Sequence, residues 1–184
     1  MTAEAIKDPA RARLLVHPGP SNPVRIQSRH ANAARHVRLS LEPGRSLFDA
    51  LTVPLARMGI ENASTTILGG AFDAITYCVA PPDPSGEAVV AYSDPLPAGP
   101  ALMIFGNATI GKNADGRPIV HCHAAMQLRD GTTKGGHVLA QHAIVGAAPI
   151  SVLVTSLEGI ALRVAYDAET NISLIQPQEE HRDA

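Results

Sequence analysis

The chemistry-bearing stretch of the chain is His121-Cys122-His123, followed by Asp130-Gly131 and Gly135-Gly136-His137. On a strand, residues i and i+2 leave the same face about 6.6–7 Å apart, close enough for two imidazoles to converge on one ion at Zn–N distances of about 2.0–2.1 Å. Cys122 then faces the other way and is expected in the core, not among the ligands. Three neutral imidazoles suit zinc and leave one position of a tetrahedral ion open to water or a substrate oxygen.

Whether His137 joins the pair depends on how the chain turns. Asp130-Gly131 is a hairpin signal, so the strand carrying His121 and His123 folds back beside the one carrying His137. A two-residue loop pairs Arg129 with Thr132 and sets His137 opposite Ala124, pointing away from the other two. An odd-length loop or a bulge sets it opposite His123 or Ala125 and unites all three; Gly135-Gly136 is where a bulge would be tolerated. His17, His30, His36, His142 and His181 lack this spacing and read as ordinary polar positions.

The elements that hold these residues are short. Up to about Ala34 the chain is rich in Pro, Arg and Asn with no sustained period, and reads as a basic, partly disordered arm over residues 1–35. Val37, Leu39 and Leu41 then alternate with polar residues as in a half-buried strand. Ser46-Leu47-Phe48-Asp49 resembles a capping box, and Leu47, Leu51, Leu55 and Met58 recur at helical spacing, with Pro54 expected to kink or shorten the helix. After Ile60 only strand-like runs follow: 64–68, 71–79, 88–92, 102–110, 119–128, 137–145, 150–156, 161–166 and 172–175. One principal helix among many strands predicts an α+β fold built mainly on antiparallel sheet.

Composition narrows the class. The 184 residues contain 3% aromatics and no Trp, which disfavours a protein that stacks on single-stranded bases, and the net charge of −2 disfavours one whose whole surface grips phosphate. The charge is uneven: residues 1–45 carry eight bases against three acids, on an otherwise acidic body. Such an arm could make non-specific contacts with DNA, an anionic surface or a neighbouring subunit. Cys78 and Cys122 form no secreted-type disulfide framework, and Met1–Arg13 has no apolar stretch, so a cytoplasmic location is expected. Residues 135–157 lack Asp, Glu, Lys and Arg, but His137, Gln141, His142 and Pro149 interrupt them and strands fit better than a membrane span.

The motifs His121-x-His123, Asp130-Gly131, Gly135-Gly136-His137 and Phe105-Gly106-Asn107-Ala108-Thr109-Ile110-Gly111 together resemble the PPC ("plants and prokaryotes conserved") domain. The likeness extends to Leu41–Leu47, Gly59-Ile60, Gly69–Ala71, Leu162–Val164, Asp167 and Glu169-Thr170, and covers a domain of about residues 36–177, leaving 178–184 as a tail. The resemblance implies an antiparallel-sheet subunit that assembles as a homotrimer, with a metal, zinc foremost, on His121, His123 and His137. Bacterial members are commonly labelled DNA-binding by analogy with plant relatives, which use a separate AT-hook. Here Asp115 precedes Gly116-Arg117-Pro118 where a hook needs arginine, and Pro100–Ile104 lacks both charges of the plant partner-contact motif. Pro149 stands where many members carry an acidic residue.

Two functional classes are expected from this reading. One is a non-enzymatic metal-binding trimer serving as a regulatory or small-molecule-binding module. The other is a metal-dependent lyase or hydrolase, since the fold implied is similar to that of α-acetolactate decarboxylase. Catalysis would still need a positioned proton carrier or carbonyl-orienting cation; Glu158, Arg129, Lys134 and Arg163 are candidates by residue type only, and sequence assigns none of them a role.

Overall fold

The structure, a computed structural model, describes residues 15–25 and 27–179. The leader before Leu15, with Lys7, Arg11 and Arg13, and the end of the tail, with His181, lie outside the described residues. The elements are β1 (His36–Leu41), α1 (Leu47–Arg57), β2 (Ala63–Ile67), β3 (Gly70–Cys78), β4 (Leu96–Lys112), β5 (Pro118–Leu128), β6 (Thr133–Val138), a single 3-10 turn (Ala140–His142), β7 (Ile144–Val145), β8 (Ile150–Ser156), β9 (Ile160–Asp167) and β10 (Ile172–Glu179). This is the α+β architecture, antiparallel except for one parallel contact between β4 and β9.

The strands follow the order β1-β8-β2-β4-β5-β6-β3-β7. Because β3 also pairs with β4, the strands β3, β4, β5 and β6 close on one another, while β9 and β10 form a hairpin at the end of β4. Helix α1 lies on one side of the sheet, where Leu47, Leu51 and Leu55 are fully buried with Ile67, Met103, Met126, Ile150 and Val152. Each such side chain contributes about 1.5–3 kcal/mol through removal from water. Ser46 caps the helix: its Oγ accepts from Asp49 N at 3.0 Å and donates to the Asp49 carboxylate at 2.9 Å. Pro54 lies inside the helix without ending it, since the helix continues to Arg57.

Three expectations require correction. Residues 88–92 form no strand and contribute only an isolated bridge between Val90 and Pro82, because the prolines around them withhold the donors a ladder needs. Residues 137–145 are not one strand: β6 stops at Val138, the chain makes a 3-10 turn, and β7 has two residues. Finally, β4 begins at Leu96, well before Leu102, because Pro97–Met103 pair with β3.

Candidate metal centre

The face of the sheet turned away from α1 carries the histidines. In an antiparallel ladder, paired residues share a face. The register sets Leu153, Thr66, Asn107, His123 and His137 in one row across β8, β2, β4, β5 and β6, with Thr155, Ser64, Thr109 and His121 in the adjacent row. Cys122, between the two histidines of β5, is fully buried on the helix side. Burial pushes its thiol up to about 12, so it stays protonated and offers no thiolate.

The parity of His137 is decided by the loop. Leu128 N–H donates to Thr132 O at 2.8 Å and Gly131 N–H to Leu128 O at 3.0 Å, leaving Arg129, Asp130 and Gly131 as a three-residue turn. Gly131 has φ +83, which the third position of such a turn requires. Asp130 Oδ1 accepts from the N–H and hydroxyl of Thr132, fixing the turn and holding the carboxyl below its ordinary range. The odd loop length sets His137 opposite His123. No bulge interrupts the pairing of β5 with β6, and Gly136 serves a different purpose. A Cβ there would lie 2.5 Å from Cys78 O, so its absence lets β3 approach β6 closely.

The three rings converge. Ring centroids are 4.9 Å apart for His121–His123, 4.6 Å for His121–His137 and 5.4 Å for His123–His137. The Nε2 atoms of His121 and His123 are 3.1 Å apart, and one ring nitrogen from each of the three histidines lies within 4.8 Å of the others. Ligand atoms of a tetrahedral zinc site are about 3.4 Å apart, so small ring rotations make this donor set fit a metal ion. Two further observations support the fit. Among the described residues His137 Nδ1, though buried, finds no hydrogen-bond partner, an orphan that ligation through this nitrogen would account for. Burial, and then the neighbouring His137 and His123, hold His121 down at about 4, while burial and then His123 lower His137, so both rings stay neutral as ligation requires.

The other candidates lie elsewhere. Glu158 accepts from Arg35, and Arg163 donates to Asn62 Oδ1 and Leu162 O. Arg129 belongs to the turn and Lys134 is an exposed residue of β6. His36 contacts Thr155 Oγ1, His30 and His142 are exposed, and His17 binds Glu169. Sequence reasoning missed Tyr92, which was assigned to a strand; its ring stands edge-on to His137 at 5.8 Å. It also missed the clasp in which Glu169, 5% exposed, gathers His17 Nδ1 (2.8 Å), the Arg25 guanidinium (2.6 Å) and Asn22 N–H (2.6 Å). Those contacts, from His17 first, hold the Glu169 carboxyl below its ordinary range.

An antiparallel sheet backed by one helix, with three histidines on its open face, defines a class of small β-rich domain whose side chains suit a metal. The sequence profile of the Plants and Prokaryotes Conserved (PCC) domain matches residues 28–158, and the chain belongs to that family. Its fold is similar to that of a plant- and prokaryote-conserved protein from Pyrococcus horikoshii (17% identity, TM-score 0.61, covering 83% of this chain and 100% of that one). It is also similar to a metal-containing protein from Archaeoglobus fulgidus (21%, 0.60, 83% and 99%) and a protein from Ralstonia eutropha JMP134 provisionally described as DNA-binding (21%, 0.60, 76% and 89%). No curated protein matches the chain.

Proposed function

We propose that this protein is a metal-binding homotrimer of the PCC family, regulatory or ligand-binding in role, with His121, His123 and His137 holding a divalent ion, zinc foremost. The observation that carries this reading is the convergence of three imidazoles, one ring nitrogen from each within 4.8 Å of the others, beside a His137 Nδ1 that is buried and without a partner among the described residues. The metal-containing description of the Archaeoglobus fulgidus neighbour agrees with it. When bound, the ion would supply a Lewis-acidic open position. The chain's own part is to keep His121 and His137 neutral, to fix His123 between Asn107 and His137, and to turn Cys122 away.

Trimer formation has support on the same side of the sheet. Leu102 and Phe105 pair with Gln127 and Ala125, on the histidine face, and are 47% and 52% exposed; Leu153, 46% exposed, continues the apolar surface. Apolar surface of this kind on a sheet face is what subunit contact would cover. A lyase or hydrolase using the open position is the alternative. It is weakened because Glu158 and Arg163, the charged candidates with defined contacts, are engaged with Arg35 and Asn62, and Arg129 and Lys134 sit at the exposed hairpin.

DNA contact through the arm is the weaker part of the reading. Arg25 is held by Glu169, Arg35 by Glu158 and the Met58 carbonyl, and Arg45 by Glu42, so these bases are engaged within the chain. Any residual binding would be non-specific and strongly salt-dependent.

Metal analysis of untagged protein beside a His121→Ala/His123→Ala variant, at about pH 7.5 and again near pH 5.5, tests the reading. The expected result is about one ion per chain, lost in the variant and largely retained at the lower pH, because burial holds His121 down at about 4. A metal-free wild type with an intact trimer would sink the metal reading and leave the histidines structural.

A further inference from the structure

Beside the histidine cluster lies a cleft of about 580 Å³ between the sheet face and the β9–β10 hairpin. Ser64, Thr109, Ile119 and His121 line it from the sheet, and Val164 and Leu174 from the hairpin. His121 is the junction, because the same half-buried ring belongs to the cleft and to the cluster. Among the described residues no Lys, Arg, Asp or Glu lines the cleft; its polar groups are hydroxyls and its remaining surface is aliphatic, apart from the Tyr92 ring.

This chemistry selects a ligand. A divalent ion on three neutral imidazoles keeps its full positive charge, so an anionic oxygen is the preferred fourth ligand. Beyond that head group the cleft has no side chain to balance a second charge of either sign, and an unpaired charge taken from water is costly. An aliphatic body, in contrast, gains about 0.8 kcal/mol per buried methylene, and the volume is that of an ordinary small-molecule site. We propose that the cleft receives the aliphatic chain of a medium-length monocarboxylate, with its carboxylate at the histidine cluster. The inference rests on the metal reading above and deepens it by naming the ligand class.

The test uses the full chain loaded with Co²⁺, whose absorption spectrum reports a new ligand on the ion, together with calorimetry. Octanoate, acetate and octylamine are the probes. Octanoate is expected to perturb the Co²⁺ spectrum and to bind about 100-fold more tightly than acetate, the gain from burying three to four methylenes. Octylamine, with the same chain and opposite charge, is expected not to bind. Val164→Asp and Leu174→Asp, both on the β9–β10 hairpin, place a charge in the cleft away from the histidines, and each should weaken octanoate at least tenfold while metal content stays at the wild-type level. Loaded protein that binds acetate and octanoate equally, or variants that bind octanoate as the wild type does, would refute the cleft assignment and leave the metal reading standing. A wild type that takes up no Co²⁺ would refute both.

Discussion

Two polar clusters of this molecule are built on opposite plans. At the clasp, a nearly buried carboxylate, Glu169, accepts from three groups of the arm, and the Glu169 carbonyl accepts from Gly19 N–H at 2.9 Å. At the histidine face, three rings gather with a buried nitrogen left without a partner. A fully satisfied buried carboxylate gains nothing from a ligand, whereas a half-satisfied cluster is left open to one. The difference separates a polar group that fixes chain geometry from polar groups that await an occupant. It also gives residues 17–25, expected to be a loose leader, a defined seat on the β9–β10 turn.

The contrast breaks most sharply at Gly19, where a Cβ would lie 1.7 Å from Ala168 O, a backbone atom that cannot move aside cheaply. Gly19→Val is expected to release the arm entirely, opening Arg25 and Arg29 to trypsin, while metal content and the melting of the domain stay near wild type. Limited proteolysis followed by mass spectrometry reads this directly. Unchanged cleavage would show that the clasp does not hold the arm in solution.

Acidification should separate the two clusters. In metal-free protein His121 titrates at about 4 against an ordinary value of 6.5, so the unfolded chain takes up the proton first and stability falls as pH drops from about 6.5 towards 4. Glu169 is displaced the other way in charge terms: its carboxylate is favoured when folded, so its contribution stands above the ordinary value of 4.5 and is lost only as pH falls through the lower folded value. Thermal unfolding across this range should weaken well before the amide signals of Gly19 and Asn22 report release of the arm. Simultaneous loss would erase the distinction.

A smaller effect is expected at the joint that positions His137. An alanine Cβ at residue 136 would lie 2.5 Å from Cys78 O and 2.9 Å from Tyr77 Cδ2, and must spread β6 from β3. Gly136→Ala is expected to weaken metal binding about 10- to 100-fold, the usual cost of disturbing what orients a ligand, and to lower stability by roughly 1–3 kcal/mol. At Gly135 the nearest atom would be 3.3 Å away, so Gly135→Ala serves as the milder control. Competition with a chromophoric chelator measures both.

The same residues show where sequence sufficed. The i, i+2 spacing put His121 and His123 on one face and Cys122 on the other, because strand periodicity is local. Asp130-Gly131 announced a turn but left its length open, and one residue of loop decides whether His137 faces the cluster or the core. The clasp was illegible because Glu169 meets His17 across 152 positions of sequence, and a lone glutamate carries no sign of what will surround it. Tyr92 was hidden by the β-prone run around it, which prolines prevented from joining the sheet.

The finest test concerns which side of β5 the site uses. Cys122 lies between two candidate ligands in sequence, and a His-Cys-His reading would make it a third donor. The fold sets it at 0% exposure in the core with its thiol pushed up to about 12, where neither access nor ionisation permits ligation. Cys122→Ala should therefore leave metal content and affinity unchanged and remove about 1 kcal/mol of packing stability, readable as a modest fall in melting temperature. Loss of metal with the fold intact would place the ion on the wrong side of the strand for His121 and His123, and the contrast between an open face and a satisfied core would have to be redrawn from that residue outward.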